Sequence, residues 1–378
     1  MEDLVMGSPI AQPLTVPPAA IESTLNYIWE TLTAEGGVKM RACLFNLILV
    51  TKNTQRSAYI RGVAQRVIEK FPSRILFITI EEGKKDPDFQ TAVSVISPGH
   101  ASDIACDLIE FSVSAAAAER IPYGVLPHLI PDLPIYLLWA DDPIQENPLS
   151  YQLEKLASRI IFDSEATDNL PLFAKSILHH RDVGDCDIAD LNWARTENWR
   201  ALILSTFRSP ERFKELSDIA SLKIEYNALE TTFFCHTRIQ AIYLQGWLAC
   251  QLGWHYIGVQ TTKTSMIFTY KSPQNKPLTV ELIPTTVPLE DLAPGAISSF
   301  ILGTNGDANF RFIRVPETPQ QINLFICSRD VCQAPVQFML TKGGIGLTLV
   351  KEICRKGTSA HYLRLLNYLT KLEPQKIC

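Results

Sequence analysis

A strand-like run in the first half of the chain ends in side chains that could do chemistry. The segment DLPIYLLWADDP, residues 132–143, places Trp139 just before the adjacent acids Asp141 and Asp142. Two carboxylates at the end of a strand can serve as general acid and base, or as ligands of a metal ion. Adjacent acids before a proline are also ordinary turn residues, and without a partner motif the turn is the favoured interpretation.

A second cluster combines aromatic, basic and acidic side chains. Residues 190–200 read DLNWARTENWR, and the candidate residues in it are Asp190, Trp193, Arg195, Trp199 and Arg200. Tryptophan rings stack on guanidinium groups and arginines pair with carboxylates, so this set suits either a lock between domains or a protein interface. The residue types leave both alternatives open.

Two of the nine cysteines are close enough in sequence to react with each other. Cys327 and Cys332, in FICSRDVC, lie five residues apart near the predicted end of a strand. Their sulfur atoms meet if the intervening residues turn, which would permit a redox role. A core thiol beside an unrelated neighbour is the more common arrangement. The odd total, and the apolar segments around most of the cysteines, favour reduced thiols in a cytoplasm.

Other patterns of catalysis and cofactor binding fail on their residue types. The first strand-to-helix turn, VTKNTQRSA, has no glycine, although a dinucleotide or phosphate site needs side-chain-free backbone there. No serine stands in a GxSxG elbow, and no cysteine or histidine pair has a second pair at zinc-ligand spacing. The sequence therefore predicts no catalytic residue, no cofactor and no metal.

Apolar runs in the first half alternate between strand and helix patterns. CLFNLILV at 43–50 and RILFITI at 74–80 are continuous enough for buried strands, and PIYLLW follows at 134–139. Ile21 to Thr33 has helical spacing. Strands separated by helices predict an α/β domain with a mostly parallel, doubly wound sheet, Rossmann-like but without a glycine-rich loop.

The second half has a different pattern. HTRIQAIYLQGWLACQLG at 236–253 predicts a long buried helix, and short alternating strands joined by turns follow as far as residue 350. The stretch TKGGIG before LTLV predicts a hairpin turn between two strands. This half is therefore predicted to be α+β with an antiparallel sheet. The predicted organisation is a flexible tail at 1–19, the α/β domain at 20–185 and the α+β domain at 186–378.

Composition narrows the class of partner. The chain of 378 residues has a net charge of -5, which gives no general attraction to nucleic acid or to anionic lipid. Its apolar runs are shorter than the roughly 20 consecutive residues that a membrane-spanning helix needs. We therefore expect a cytoplasmic protein that binds neither nucleic acid nor membrane.

Two of these segments together resemble one protein family. LIPDLPIYLLWADDP is similar to a characteristic strand, and DLNWARTENWR to the domain junction, of the glucose-6-phosphate dehydrogenase assembly proteins called OpcA. The resemblance extends to Arg41 and to the segment PSRI at 72–75, and it covers about residues 20–372. Ala140 stands where the family strand has a second tryptophan, so a stacking role is not expected at that position.

The resemblance implies a non-catalytic cytoplasmic bacterial protein that promotes assembly and activation of glucose-6-phosphate dehydrogenase, at the entry to the oxidative pentose phosphate pathway. It makes Trp139, Asp141, Asp142 and the 190–200 cluster candidates for partner binding or for a domain junction. Some relatives respond to thioredoxin through C-terminal cysteines, which implies thioredoxin as a further partner and Cys327 and Cys332 as the candidates. The rival function is a sugar-phosphate- or nucleotide-binding enzyme or sensor that uses Arg56, Asp141 and Asp142.

Overall fold

The computed structural model of the chain has two sheets, each with its own helices. The described residues are 12–35, 40–83, 86–97, 104–144, 152–183, 186–229, 231, 236–285, 292–329, 331–341 and 346–373. The strands are β1 Leu14–Thr15, β2 Met40–Arg41, β3 Asn46–Lys52, β4 Arg74–Glu81, β5 Phe89–Ile96, β6 Ile104–Ser114, β7 Ile135–Trp139, β8 Arg159–Phe162, β9 Asp187–Asp190, β10 Ile219–Asn227, β11 His255–Thr261, β12 Met266–Lys271, β13 Pro277–Thr285, β14 Ile297–Thr304, β15 Asn309–Val315, β16 Thr318–Cys327 and β17 Val336–Met339. The helices are α1 Ile21–Ala34, α2 Gln55–Ile68, α3 Ile121–Val125, α4 Leu170–Val183, α5 Leu191–Arg195, α6 Glu197–Thr206, α7 Pro210–Ser217, α8 Ile239–Leu252, α9 Leu347–Cys354 and α10 Ala360–Leu369.

The first sheet is parallel at its centre, which confirms the predicted α/β class. Its strand order is β1-β5-β6-β4-β3-β7-β8-β9, with β2 paired to β6 outside this path. The strands from β6 to β9 in this order run parallel, whereas β5 and β1 are antiparallel at one edge. β3 and β4 are buried along nearly their whole length, as expected of parallel strands that are covered on both faces.

The strand order places a functional edge at a defined point. β3 lies in the middle of the sheet, and the chain proceeds to one side through β4 and β6 and to the other through β7, β8 and β9. Ligands of doubly wound folds bind at such a reversal, outside the carboxyl ends of the strands. The carboxyl ends of β3, β7, β8 and β9 form the edge that we call the rim.

A buried charge network lies at the opposite end of the first sheet. The carboxylate of Asp107 on β6 accepts hydrogen bonds from Trp29 Nε1 at 2.8 Å, Arg41 Nη2 at 2.7 Å and Arg74 Nη2 at 2.7 Å. Arg74 also donates to Glu22 at 2.9 Å. Both Arg74 and Asp107 are buried, so each charge depends on the other for its stability. The network fastens helix α1 to strands β4 and β6.

The second sheet is antiparallel except for one pair, which confirms the predicted α+β class. Its order is β11-β12-β13-β10-β14-β15-β16-β17, and only the pair β10 and β13 is parallel. One face carries large buried side chains at alternate positions, among them Tyr270, Phe300, Phe310 and Phe312. This period of two is typical of a sheet with one covered face.

Helices α8 and α10 pack closely on the covered face of the second sheet. A Cβ atom at Gly246 would lie 2.8 Å from Leu365 and 2.9 Å from Tyr368, so only glycine permits this approach of the two helices. The hydroxyl of Tyr270 on β12 donates to Gln245 Oε1 at 2.5 Å and is hydrogen-bonded to Tyr368. These buried polar contacts join both helices to the sheet.

The segment LTLV forms a helix, so the predicted hairpin between two strands is wrong there. Helix α9 begins after Gly346, whose φ of 78° and close approach to Arg66 require glycine. The buried Leu349 then stands four residues, about one helical turn, before the buried Ile353. Residues 342–345 of the predicted turn lie outside the described residues.

Helix α9 is anchored to β8 by a buried ion pair. Arg159 Nη2 donates to Glu352 Oε2 at 2.6 Å, and their side chains are 4% and 2% exposed. Arg159 Nη1 also donates to the carbonyl oxygen of Gly357 at 3.0 Å. A segment from late in the sequence therefore completes the packing of the first sheet.

The chain divides into two compact units whose segments alternate in sequence. The first comprises residues 1–166, 179–191 and 344–358, and the second comprises 167–178, 192–343 and 359–378. The boundary predicted between residues 185 and 186 stays a prediction, because compactness does not test which segments fold independently. Within the predicted tail, Leu14–Thr15 pairs with β5 as an edge strand, and residues 1–11 lie outside the described residues.

Candidate functional site

The rim brings two of the predicted residues into register. Trp139, the last residue of β7, pairs with Val50 on one side and with Phe162 on the other. Phe162 in turn pairs with Asp190, the last residue of β9. Both Trp139 and Asp190 are buried, and the indole Nε1 of Trp139 has no hydrogen-bond partner among the described residues. Trp139 and Asp190 thus both lie at the carboxyl edge of the parallel strands, and the roles expected of them stay predictions.

Asp141 and Asp142 follow β7 in a turn. Asp141 Oδ1 accepts a hydrogen bond from the Asp142 backbone N–H at 2.8 Å, and Asp142 Oδ1 accepts one from the Ile144 N–H at 3.1 Å. Such side-chain caps on the following backbone are what aspartates contribute to turns. Lys52 Nζ at the end of β3 lies 3.3 Å from Asp141 Oδ1 and 2.9 Å from Glu82. The turn that the sequence favoured is thus observed, with a lysine added to it.

Burial dominates the electrostatics of Asp141. It raises the pKa of the Asp141 carboxyl, although the Asp142 N–H and the charge of Lys52 act in the opposite direction. For Lys52, burial opposes the charged form, but the hydrogen bond with Glu82 and the charge of Asp141 raise its pKa. The pair thus carries a stable ammonium beside a carboxylate whose ionisation is disfavoured.

Replacing Asp141 by asparagine is expected to raise the free energy of unfolding at pH 7. Because the folded-state pKa of Asp141 is raised, the native chain binds this proton more readily than the unfolded chain, so its ionisation above that pKa costs stability. Asparagine avoids this cost and its Oδ1 can still accept from Asp142. Urea unfolding should show the gain at pH 7 and none at pH 3, where both states are protonated. An equal gain at both pH values would contradict an electrostatic cause.

Two carboxylates that were not predicted occupy the rim beside helix α2. Arg56 Nη2 donates to Asp163 Oδ2 at 2.6 Å, and its Nη1 lies 3.6 Å from Glu165 Oε2. Asp190 Oδ2 accepts from the Ser164 N–H at 3.0 Å. Asp163 follows strand β8, as Asp141 follows β7. An acid at the end of an apolar run, here RIIF at 159–162, was therefore the signal available in the sequence. The rim therefore pairs its cations with its own carboxylates.

The aromatic cluster is buried within the second unit. The Arg200 guanidinium carbon lies 3.4 Å from the centre of the Trp193 ring, and Arg200 Nη1 donates to the Trp193 carbonyl oxygen at 2.7 Å. Trp193 lies 5.6 Å from Tyr362 of α10, and Trp199 lies 6.5 Å from Phe300 of β14. These contacts fasten helices α5 and α6 to α10 and the second sheet.

Exposure separates the predicted residues into two groups. Trp139, Asp190, Trp193, Trp199 and Arg200 are buried and present little surface to a partner. The half-exposed residues are Asp141, Asp142 and Arg195. Arg195 donates to Asn192 Oδ1 at 2.7 Å within its own helix. The buried residues thus make packing contacts within the chain, and partner binding by any residue of either group stays a prediction.

Cys327 and Cys332 are joined by a disulfide. Their Cα atoms are 4.1 Å apart, and the two residues form an isolated antiparallel bridge. The Ser328 N–H donates to the Val331 carbonyl oxygen at 2.8 Å, so the intervening segment turns as the prediction required. Cys327 is half-exposed and Cys332 is exposed, which leaves the bond accessible. It lies where β16 ends and the chain leads toward β17.

The described residues contain neither a candidate metal-binding cluster nor a membrane-spanning helix. No group of three or more His, Cys, Asp or Glu side chains there is placed to hold a metal ion. None of the helices described is both long enough and apolar enough to cross a bilayer.

Known proteins resemble this chain in sequence. It matches the family model of the glucose-6-phosphate dehydrogenase subunit N-terminal domain over residues 64–175 and that of the C-terminal domain over residues 186–326. An OxPP cycle protein OpcA of Synechococcus elongatus is 33% identical over 162 residues, which are 42% of this chain and 34% of that protein. The Nostoc punctiforme protein of the same name is 30% identical over 52% of this chain and 42% of its own length. Each alignment thus spans less than half of the relative.

A solved structure shares the fold. The 3-ketoreductase KijD10 of Actinomadura kijaniata, in complex with TDP-benzene and NADP, aligns with a TM-score of 0.50 and 9% identity over 87% of this chain and 95% of its own. Because the sequence identity is so low, the similarity concerns the fold alone.

The family matches coincide with the two motifs. The strand that ends at Trp139 lies inside the first matched region, and the 190–200 cluster opens the second. The strand segment thus lies in the N-terminal domain of the family and the 190–200 cluster in its C-terminal domain. This chain belongs to the OpcA family.

Proposed function

We propose that this protein is a non-catalytic partner of glucose-6-phosphate dehydrogenase that promotes assembly of the active enzyme. The observation that carries the proposal is the pair of consecutive matches to the subunit domains of that dehydrogenase, over residues 64–175 and 186–326. The OxPP cycle name of the cyanobacterial relatives supports the same pathway. The cytoplasmic location expected from the sequence belongs to this proposal.

The charges of the rim support a non-catalytic role over the rival nucleotide-binding function. A bound phosphate needs unengaged backbone N–H groups and cations at the start of the helix. Here Arg56 is engaged by Asp163 and Glu165, and Lys52 is engaged by Glu82 and Asp141. A phosphate would have to displace these carboxylates and would meet their repulsion.

Activation then follows from differential affinity. A partner that binds the assembled, active dehydrogenase more tightly than its separate subunits shifts the equilibrium toward assembly. A tenfold preference corresponds to a shift of about 1.4 kcal/mol. No catalytic group is required of the partner.

The test uses the purified dehydrogenase of the same organism with and without this chain. We expect higher dehydrogenase activity, a larger oligomer by light scattering, and co-elution of the two proteins. The effect should saturate with the concentration of this chain, because it reports binding. Unchanged activity and unchanged mass, together with no co-elution, would refute the proposed function.

A charge-reversal variant locates the contact surface in the same assay. We propose that the half-exposed acids of the rim take part, so Asp142→Lys should weaken dehydrogenase binding at least about tenfold, as loss of an interfacial charge pair does. Glu119→Lys is the matched control, because Glu119 is an exposed acid of the same unit outside the rim. Equal affinity of the two variants would remove the rim from the interface and leave the partner function standing.

We propose thioredoxin as a second partner that acts on the Cys327–Cys332 disulfide. A thioredoxin dithiol would attack the bond, so that two thiols form on this chain and thioredoxin becomes the disulfide. The oxidised and reduced chains, and the Cys327→Ser variant as a permanently open control, are compared for dehydrogenase affinity. Equal affinity of all three would exclude the disulfide from regulation.

A further inference from the structure

One face of the second sheet carries a pattern that the proposed function does not use. The covered face holds the buried aromatic residues, and the side chains between them point to the opposite face. We call this opposite face the open face. Its side chains along β10 and β12 to β16 are half-exposed or exposed with few exceptions, whereas their neighbours in sequence are mostly buried. The alternation shows a broad sheet surface whose side chains are reachable by a partner.

A register row crosses the open face from β12 to β16. Read across the sheet, the residues of this row are Ile267, Glu281, Lys223, Ile301, Arg311 and Phe325. Lys223 Nζ and Glu281 Oε2 form an ion pair at 3.4 Å. Arg311, in contrast, is exposed and forms no ion pair with any described residue. One positive charge of the row is thus left without a counterion among the described residues.

When the row is reversed, its four outer residues are complementary to it, whereas its central pair sets Lys223 against Ile301. A two-fold axis that runs parallel to the strands, between β10 and β14, places β13 of one copy opposite β15 of a second copy, and β12 opposite β16. Glu281 then faces Arg311 of the second copy, and Ile267 faces its Phe325. The unpaired arginine would gain a carboxylate, and an apolar side chain would meet an aromatic ring.

The next row obeys the same symmetry. Ile283 on β13 and Ile313 on β15 lie at equal distances from the axis, with Glu225 and Ser299 between them. The same rotation places Ile283 opposite Ile313 of the second copy. At the outer positions of two successive rows, therefore, acid faces base and apolar residues face apolar residues, while Glu225 faces Ser299 of the second copy beside the axis in the second row. Such a self-complementary patch is what an isologous dimer requires.

The size of the open face fits a stable dimer. Eight strands at about 4.8 Å spacing span about 34 Å, and strands of about seven residues span about 23 Å, which gives close to 800 Å² for each copy. Specific interfaces bury about 800 Å² per partner. Aligned packing keeps the strands of two facing sheets within about 30° of each other, so the pairs near the axis stay opposite each other to within about one position.

We propose that the open face is a dimer interface between two copies of this chain, in which Glu281 of each copy faces Arg311 of the other. The inference is independent of dehydrogenase binding. It predicts a two-fold symmetric assembly held by two such charge pairs and by the isoleucines around them.

Two opposite charge reversals test the proposal. Glu281→Arg alone would place two arginines against each other, and Arg311→Glu alone would place two glutamates against each other. Each variant should raise the dimer Kd at least about tenfold, as facing like charges do. An equimolar mixture of the two should restore the dimer, because every facing pair is then Arg with Glu. Mass is measured by analytical ultracentrifugation across micromolar concentrations.

The controls separate this interface from the alternatives. Leu204→Arg, an exposed leucine on helix α6 away from the open face, should leave the dimer unchanged. Circular dichroism confirms that each variant is folded, and Ile313→Arg, expected to break the dimer, replaces Glu281→Arg if that variant does not fold. A monomeric wild-type chain, a dimer that ignores both reversals, or a mixture that stays monomeric would overturn the proposal. Loss of dehydrogenase binding with no change in mass of the chain alone would assign the face to that partner and would also overturn it.

Discussion

Replacing Asp107 by alanine is expected to lower the free energy of unfolding by about 3–5 kcal/mol, the loss typical when one partner of a buried ion pair is removed. Its carboxylate accepts hydrogen bonds from Trp29, Arg41 and Arg74. The Arg74 side chain is only 6% exposed, so without Asp107 its charge stays buried with Glu22 as its one remaining carboxylate partner among the described residues. Chemical denaturation of the wild-type chain and the variant measures the difference.

Glu22→Ala is the matched control for this prediction. Glu22 is also an acid paired with Arg74, at 2.9 Å, but its side chain is 43% exposed. A pair of which one member reaches water contributes about 0–1 kcal/mol, so the control should lose much less stability. Equal losses in the two variants would show that burial of the carboxylate is not what makes Asp107 important.

Replacing Glu352 by alanine is the second large effect that we expect, again a loss of about 3–5 kcal/mol. The change removes the nearer carboxylate of the buried Arg159, whose side chain is 4% exposed, and leaves it only the more distant Asp187 at 3.8 Å. Helix α9 loses its main polar attachment to the first sheet at the same time. Hydrogen exchange should therefore accelerate at residues 347–354 in addition to the fall in overall stability.

Arg355→Ala provides the control for the second prediction. Arg355 Nη1 pairs with the other oxygen of Glu352 at 3.0 Å, but it is 36% exposed and belongs to the same helical segment. We expect a loss below about 1 kcal/mol and unchanged exchange in α9. Equally fast exchange of α9 in both variants would contradict the assignment of its attachment to the pair of Glu352 and Arg159.

The fold class was predictable because it depends on local pattern. Local apolar pattern predicts the secondary structure of these segments: continuous apolar runs predict the strands β3 and β4, and apolar residues at helical spacing predict the helix α1. The failure at LTLV has a physical reason, since a short apolar run suits a strand and a helix equally. Its helical state depends on packing against β8 and α2, which lie far away in sequence.

The candidate site was predictable in position but not in its partners. The end of a predicted strand was enough to place Trp139 at the carboxyl edge, whereas strand β9, which ends at Asp190, was not predicted. Nothing local assigns Lys52 to Asp141, or Arg56 to Asp163, which is 107 residues away. The same limit hid the pair of Arg159 and Glu352, separated by 193 residues. Ion pairs between distant residues depend on the completed fold, whereas strands and helices largely depend on the local sequence pattern.

The position of helix α9 has a consequence for synthesis of the chain on the ribosome. Strand β9 completes the parallel sheet, but α9 emerges about 160 residues later, which takes about 8–30 s at the usual rates of elongation. Throughout that interval Arg159 is without Glu352, and the surface that α9 covers on α2 is open to water and to other nascent chains. The amino-terminal unit is the first to be translated, yet it is among the last to close.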